Sequence, residues 1–530
     1  MSYMRTQSRS LVSQADASLV PRNDVPRSRF VMHFNRKATG NAGVLYPFYL
    51  AEILPGDHFR IEATPFVRTA TPFFPVMDNM RIDTHFFFVP LRLLWANFER
   101  FMGYQAAHGD SVSYTIPQIT STGNGFAVNS LGDHFGLPTV GQCAAVISVS
   151  ALPFRAYQLI YDEWFRDQNL QASVVSSVMT GDGPVAEANF QLFTRAKSHD
   201  YFTSCLLAPQ KFTAPIVQSP VVGIGVAQLD TTSAGPINVV ETPSTAVPTG
   251  ITSYSPYYDD ATDTIAIKAF STNGAPQIFA QADIRVLRQA FLIQQYLEKD
   301  ARGGTRYVER NLTHFNVRSP DMRVQRPEFM GGGSTPLIFT PIAQTATGGS
   351  GVGTLGGAGS ASGRHVASYA SVEDGFIIGL ISVKSQLSYS QGIHRMWSRL
   401  TRTDYYVPSL AMLSEQTVFT KEIYATGVPA NDNLVFGYQE PWQELRTRYS
   451  DVVGLFRPTS AGNIAGWHLS EQFVGAPVLG STFIKESPPM GRILAGGTQS
   501  GQQFLFDINI EVDATRPLPL YGIPAQLGRF

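Results

Sequence analysis

Asp162 and Glu163 stand side by side in the stretch "YDEWF", and two neighbouring acids invite a search for acid–base chemistry. Adjacent positions on a helix point apart, so these carboxyls do not converge on one bond, and a solvated or interface face is the favoured reading. "GVGTLG", with Gly351, Gly353 and Gly356, formally matches a dinucleotide fingerprint. That fingerprint needs a strand before it and a helix after it, whereas Gly, Ser and Thr lie on both sides here. "RGGTR" (302–306) has the composition of a phosphate-holding loop, and equally that of a helix stop whose arginines pair with nearby carboxylates, the reading we favour. The chain contains no P-loop, no H-E-x-x-H, no C-x-x-C and no G-x-S-x-G motif. Its ten histidines are scattered, with no close pair at metal-ligand spacing. "NLT" at Asn311 is a glycosylation pattern, idle without a secretory signal. The residues thus offer no catalytic constellation, no cofactor site and no metal site.

Composition points to surfaces instead. Charged residues make up only 15% of the 530, against about a quarter in ordinary globular proteins, while 12% are aromatic. Buried interfaces deplete Lys and Glu and favour aromatics and Arg. Lysine occupies eight positions, so 32 of the 40 basic residues are arginine, the side chain suited to carboxylates, phosphates and flat rings. The net charge of −1 excludes a generic polyanion binder. Cys143 and Cys205 are the only cysteines, which excludes a disulfide framework and a four-cysteine zinc site. The opening "MSYMRTQSRSLVSQADASLV" lacks the apolar run of a secretory signal, and "FIIGLISV" is too short to cross a bilayer. Cytoplasmic synthesis and assembly, with no membrane insertion, is the expectation.

Several elements are expected to position these surfaces. Residues 1–40 read as a basic arm, in which Arg5, Arg9, Arg22, Arg27, Arg29, Arg36 and Lys37 face only Asp16 and Asp24. "HFRIEATPFVR" and "MRIDTHFFFVP" alternate as strands and are separated by turn chemistry. The triple phenylalanine 86–88 predicts a strand end whose rings alternate, some entering the core and others an adjoining insertion or subunit. Helices are expected in "LRLLWANFERFMG", ended by Gly103, in "PFRAYQLIYDEWFRDQN", begun by Pro153, and in "DIRVLRQAFLIQQYLEKDARGG", ended by Gly303 and Gly304. Residues 212–280 form an acidic excursion rich in Ser, Thr, Pro and Gly. Residues 341–363 read as a flexible Gly-rich loop, and the remainder as short strands of a sandwich or barrel.

From about Pro26 onward the chain resembles the major capsid protein of the Microviridae, in particular the gokushovirus branch of single-stranded DNA phages. The resemblance rests on stretches in one order. They include "TPFFPVMDNMRIDTHFFFVPLRLLWANFERFMG" (71–103), "LPFRAYQLIYDEWFRDQNLQ" (152–171), "LRQAFLIQQYLEKDARGGTRYVER" (287–310), "YSQGIHRMWSR" (389–399), "SEQTVFTKEIY" (414–424), "FGYQEPWQELR" (436–446) and "GWHLSEQF" (466–473). "LSEQ" departs from the family's glycine before Glu415, and "CLLAPQK" varies its usual pattern. The resemblance implies a mainly β fold, an eight-stranded antiparallel jelly-roll barrel with long loop insertions containing several helices. It implies a single jelly-roll domain over 41–530 with an insertion that forms protrusions at the threefold axes, and the acidic, loop-rich composition of 212–280 points to that segment as the surface protrusion. It further implies a structural, non-enzymatic subunit of a T=1 shell around circular single-stranded DNA. The partners would be further copies of the chain, the DNA, internal scaffolding and DNA pilot proteins, and a host surface receptor. Arg5, Arg9, Arg22, Arg27 and Arg29 are the candidate DNA contacts. A jelly-roll carbohydrate-binding or hydrolytic protein is the alternative, and it lacks the converging acids or metal cluster that it needs.

Overall fold

The computed structural model describes residues 26–175, 180–212, 257–259, 264–266, 284–304, 306–318, 325–343, 355–411, 415–495 and 502–521. Its main sheet starts with β1 (Ser28–Gly40), β2 (Tyr46–Ile53), β3 (His58–Thr69) and β4 (Arg81–Pro90). It continues with β5 (Glu328–Pro336), the hairpin β6 (Ile338–Ala343) and β7 (Leu355–Ser362), then β8 (His365–Ala370), β9 (Gly375–Lys384) and β10 (Phe504–Arg516). The order across the sheet is β1-β10-β3-β8-β5-β4-β9-β2, with β7 also joining β3. All the pairs are antiparallel: β1 meets β10, β2 meets β9, β3 meets β8 and β4 meets β5. With the β6–β7 hairpin set aside, the first four of the remaining eight strands pair with the last four in reverse order, as a long hairpin does when it rolls up. This is a jelly roll, a nearly closed eight-stranded barrel.

Alternation builds the inner core. On β10, Phe504, Phe506, Ile508, Ile510, Val512 and Ala514 are buried and the residues between them are not. β4 and β9 break the alternation because both of their faces are covered. Phe86 and Phe88 enter the barrel core, while Phe87 and Val89 enter a second core, joined from β9 by Ile378 and Leu380. Helix α1 (Leu152–Ile160) closes that second core with Phe154, Tyr157 and Ile160, beside Trp95 and Phe126. The buried Tyr157 hydroxyl donates to Leu45 O at 2.9 Å and accepts from Phe193 N at 2.9 Å, so the helix is stitched to the residue that leads into β2 and to the chain that follows the helix. The triple phenylalanine thus alternates between a core and an insertion, as expected. A strand buried on both sides reads as a continuous apolar run.

Four sequence expectations are corrected. Residues 28–40 are a barrel strand rather than part of an arm, paired along their whole length with β10. An edge strand exposes side chains on both faces, and Val31, Met32 and Phe34 are all exposed, which erased the periodicity. The helix over 91–103 is two short ones, Leu91–Leu94 and Phe98–Phe101. Trp95 turns to an extended conformation between them, which buries its ring against Phe101 and lets its indole N–H donate to Asp182. The second predicted helix stays α-helical only to Ile160 and ends in a wider π-type turn, Tyr161–Phe165. Finally, 341–363 is not one loop: its described ends are β6 and β7, and only 344–354 lies outside the described residues. Gly357 and Gly359 serve close packing. A Cβ on Gly359 would lie 2.7 Å from the Phe339 ring, closer than real contacts allow.

The chain divides into two compact units, 1–207 with 318–530, and 208–317. The second contains α2 (Ile284–Arg302) and α3 (Tyr307–Phe315). Gly304 between them has φ +95°, and Arg306 pairs with Glu309 at 2.7 Å, so "RGGTR" is a helix stop. His314 joins Asp300 at 2.6 Å and stacks on Tyr296, fastening α3 to α2. Within 212–280 only Phe212, 257–259 and 264–266 are described, the last two as a short antiparallel strand pair.

Candidate functional site

Buried carboxylates are numerous, and protein donors occupy each of those described here. Asp83 on β4 receives Arg195 at 3.1 Å, Lys384 at 3.1 Å and the Ser334 hydroxyl at 2.7 Å. Burial pushes its carboxyl up, but Ser334, Lys384 and Arg195 outweigh burial and hold it below the usual range. The neighbouring His85 is driven down to about 4 by burial and by Arg195, and is neutral at pH 7. Glu422 accepts from Arg395 at 3.1 Å, Tyr201 at 2.8 Å and Phe419 N at 3.0 Å, and burial still raises its pKa. Glu444 accepts from Arg399 at 3.1 Å and Gln416 at 2.8 Å. Asp57, in the turn before β3, accepts Leu54 N at 2.8 Å and Arg516 at 2.9 Å, tying the end of β10 to that turn.

Asp162 is also buried. It is engaged by Arg166 at 2.8 Å, Ser173 at 3.0 Å and Val174 N at 3.0 Å, so it clasps a loop and does not converge with Glu163 on a substrate. Gly356 lies in strand β7, where a dinucleotide site requires a helix. Among the described residues no group of three His, Cys, Asp or Glu side chains is placed to hold a metal ion. No described helix is long and apolar enough to cross a membrane.

Of the five candidate DNA contacts, Arg5, Arg9 and Arg22 lie outside the described residues. Arg27 is exposed, its guanidinium lying over Gly56, where an added Cβ would come within 2.9 Å of it. Arg29 is exposed and forked onto Asp513, at 2.7 and 2.6 Å. Its charge is matched across the β1–β10 pair, which makes it the weakest of the five as a phosphate contact. Sequence reading missed a cleft of about 600 Å³ where Arg36, Lys37, Arg68 and Phe66 meet Asp133 and Asp507. Arg68 reaches over the exposed Phe66 ring, 5.9 Å from its centroid. Only sheet register brings these together, for Phe66 lies opposite Asp507, and Asp507 opposite Lys37.

This arrangement is a rolled barrel whose loops are pinned by buried ion clusters. A family model described as "Capsid protein (F protein)" matches residues 18–526. The chain belongs to that capsid protein family. It is similar to "Capsid protein VP1" of Bdellovibrio phage phiMH2K, 40% identical over 98% of this chain and 99% of the relative. It is also similar to the VP1 capsid proteins of Chlamydia phage 1 and Spiroplasma virus 4, 35% and 33% identical over 96% of this chain and 97% of each relative. These matches make it a major capsid protein of the Microviridae type, a structural component of the virion. A capsid subunit has use for pinned loops. Buried ion pairs are poor sources of net stability but specific in geometry, and they hold loop surfaces in one shape for neighbouring copies.

Proposed function

We propose that the chain is the subunit of a T=1 icosahedral shell of the gokushovirus kind, assembled in the host cytoplasm around circular single-stranded DNA. The observation that carries this reading is the match to VP1 capsid proteins over 96–98% of the chain, on a rolled eight-stranded barrel. Low charge and many exposed large apolar residues fit a molecule with several neighbours. Assembly with internal scaffolding and DNA pilot proteins, and attachment to a host receptor, complete the reading.

DNA contact is assigned to Arg5, Arg9, Arg22 and Arg27 of the arm, with the cleft of Arg36, Lys37, Arg68 and Phe66 as a second region. Phosphate attraction and base stacking without sequence readout suit such groups. Residues 212–280 are assigned to a threefold protrusion. Five acids against Lys268 alone would repel packaged DNA, so the outside is the fitting place. Electron microscopy of purified particles, with nuclease treatment and nucleic-acid extraction, tests the whole reading. Uniform T=1 shells holding circular single-stranded DNA are expected; a chain that stays monomeric under all assembly conditions would refute it.

A further inference from the structure

Residues 393–407 make an exposed surface that the fold goes to some length to hold still. Trp397 is 73% exposed and Leu400 is 90% exposed, with Met396, Tyr405, Tyr406 and Val407 exposed around them. This is no loose loop. Arg395 and Arg399 turn inward onto the buried Glu422 and Glu444. Asp404 accepts from Leu400 N at 2.9 Å and Thr401 N at 2.7 Å. Tyr406 packs edge-on against Trp442, whose indole N–H donates to Leu410 O at 3.2 Å. A rigid projection loses little side-chain entropy on docking, and Trp and Tyr are enriched among the residues that dominate binding energy.

The composition favours a protein partner over DNA. Met396, Leu400 and Val407 have no flat face for a base, and two of the arginines are committed to carboxylates beneath them. Arg402, exposed at the tip, is left as the cation facing outward. A complementary surface exists on the same chain. Phe98, Met102, Tyr104 and Val372 line a groove of about 500 Å³, with Met102 59% and Val372 77% exposed. Glu99, Glu373 and Asp374 line it too; Arg92 pairs with Glu373 at 2.7 Å, and no described cation is paired with Glu99 or Asp374. The groove is apolar and acidic where the projection is apolar and basic.

We propose that the 393–407 projection of one copy seats in the Phe98–Met102–Tyr104–Val372 groove of a second copy, with Arg402 facing Glu99 and Asp374. Projection and groove are different surfaces, so the contact runs head to tail and repeats from copy to copy, as a ring in a closed shell requires. The proposal rests on the shell-subunit reading, because in a shell the neighbour of each copy is another copy.

The test starts from a Cys143→Ser background. Chains carrying Leu400→Cys are mixed with chains carrying Met102→Cys, both at exposed positions, and are crosslinked with a short bis-maleimide. A dimer band is expected from the mixture and not from either chain alone. Arg402→Glu and Glu99→Arg should each cut particle yield by about tenfold, and the double variant should recover most of it. Circular dichroism of each variant verifies folding. A mixture that crosslinks no better than its parts, or an Arg402→Glu chain that assembles at the wild-type yield, overturns the proposal. So does a Trp397→Ser, Leu400→Ser chain that assembles normally but retains less DNA, since that would make the projection a nucleic-acid face. If the wild-type chain forms no particles at all, the shell reading fails, while the crosslink in concentrated solution still decides the contact.

Discussion

Glu486 illustrates what burial does to a single residue here. It is buried beside Lys197, which pairs with Glu471 at 2.8 Å, and its own oxygen accepts from Ser385 N at 3.4 Å. Burial is the dominant influence and pushes its carboxyl up to about 7, against Lys197. The folded chain therefore keeps this proton at pH values where the unfolded chain has lost it. The stability this provides is complete below the ordinary carboxyl range and disappears as pH rises through about 7. The shift corresponds to roughly 3 kcal/mol across that window. Glu486→Gln should flatten the decline in melting temperature between pH 5 and pH 8 and leave the variant the more stable at pH 8. Parallel melting curves for the two chains would reject this. Glu444 provides the opposite case. Glu444→Ala strands Arg399 in a largely buried position and should cost about 3 kcal/mol in denaturant unfolding.

At the scale of elements, β4 decides most. It contributes one face to the barrel and the other to the core under α1, so it couples the barrel to its insertion. Phe87→Ala should remove about 3–5 kcal/mol, and limited proteolysis should then cut first near α1 rather than in the barrel. Equal protection of both regions would mean that Phe87 does not hold them together. β1 behaves differently. Since Asp513 already neutralises Arg29, Arg29→Gln should change DNA retention far less than Gln at Arg5, Arg9 and Arg22 together. Salt-dependent DNA release from particles measures the difference, and the arm is structural if neither set alters it.

For the whole molecule, the two compact units predict separable failures. Replacing 220–270 with a short Gly/Ser linker should leave particle assembly intact and reduce adsorption to host cells. Loss of assembly would make the segment part of the shell, and normal adsorption would remove its attachment role. Microscopy and cell-binding counts separate the two outcomes.

The sequence by itself determined a mainly β class, a sandwich or barrel, and its resemblance implied the jelly roll; the pairing of the strands came only from the tertiary structure. Alternation in "HFRIEATPFVR" and the double-faced run at Phe86–Phe88 are local signals that survive without neighbours. It also showed that the P-loop, H-E-x-x-H, C-x-x-C and G-x-S-x-G motifs are absent, because such motifs are local in the chain. What lay beyond it had a common cause, contacts between residues far apart. The strand at 28–40 was hidden because its partner begins at Phe504 and its own faces stay exposed. The break at Trp95 depends on Asp182, and the hairpin at 338–362 on rings that only glycine lets approach. The groove of Met102 and Val372, and the projection braced on Glu422 and Glu444, exist only once loops from distant stretches are packed together. Tertiary structure alone could choose among the arginines, because whether a guanidinium meets a carboxylate or solvent depends on which strand lies opposite it.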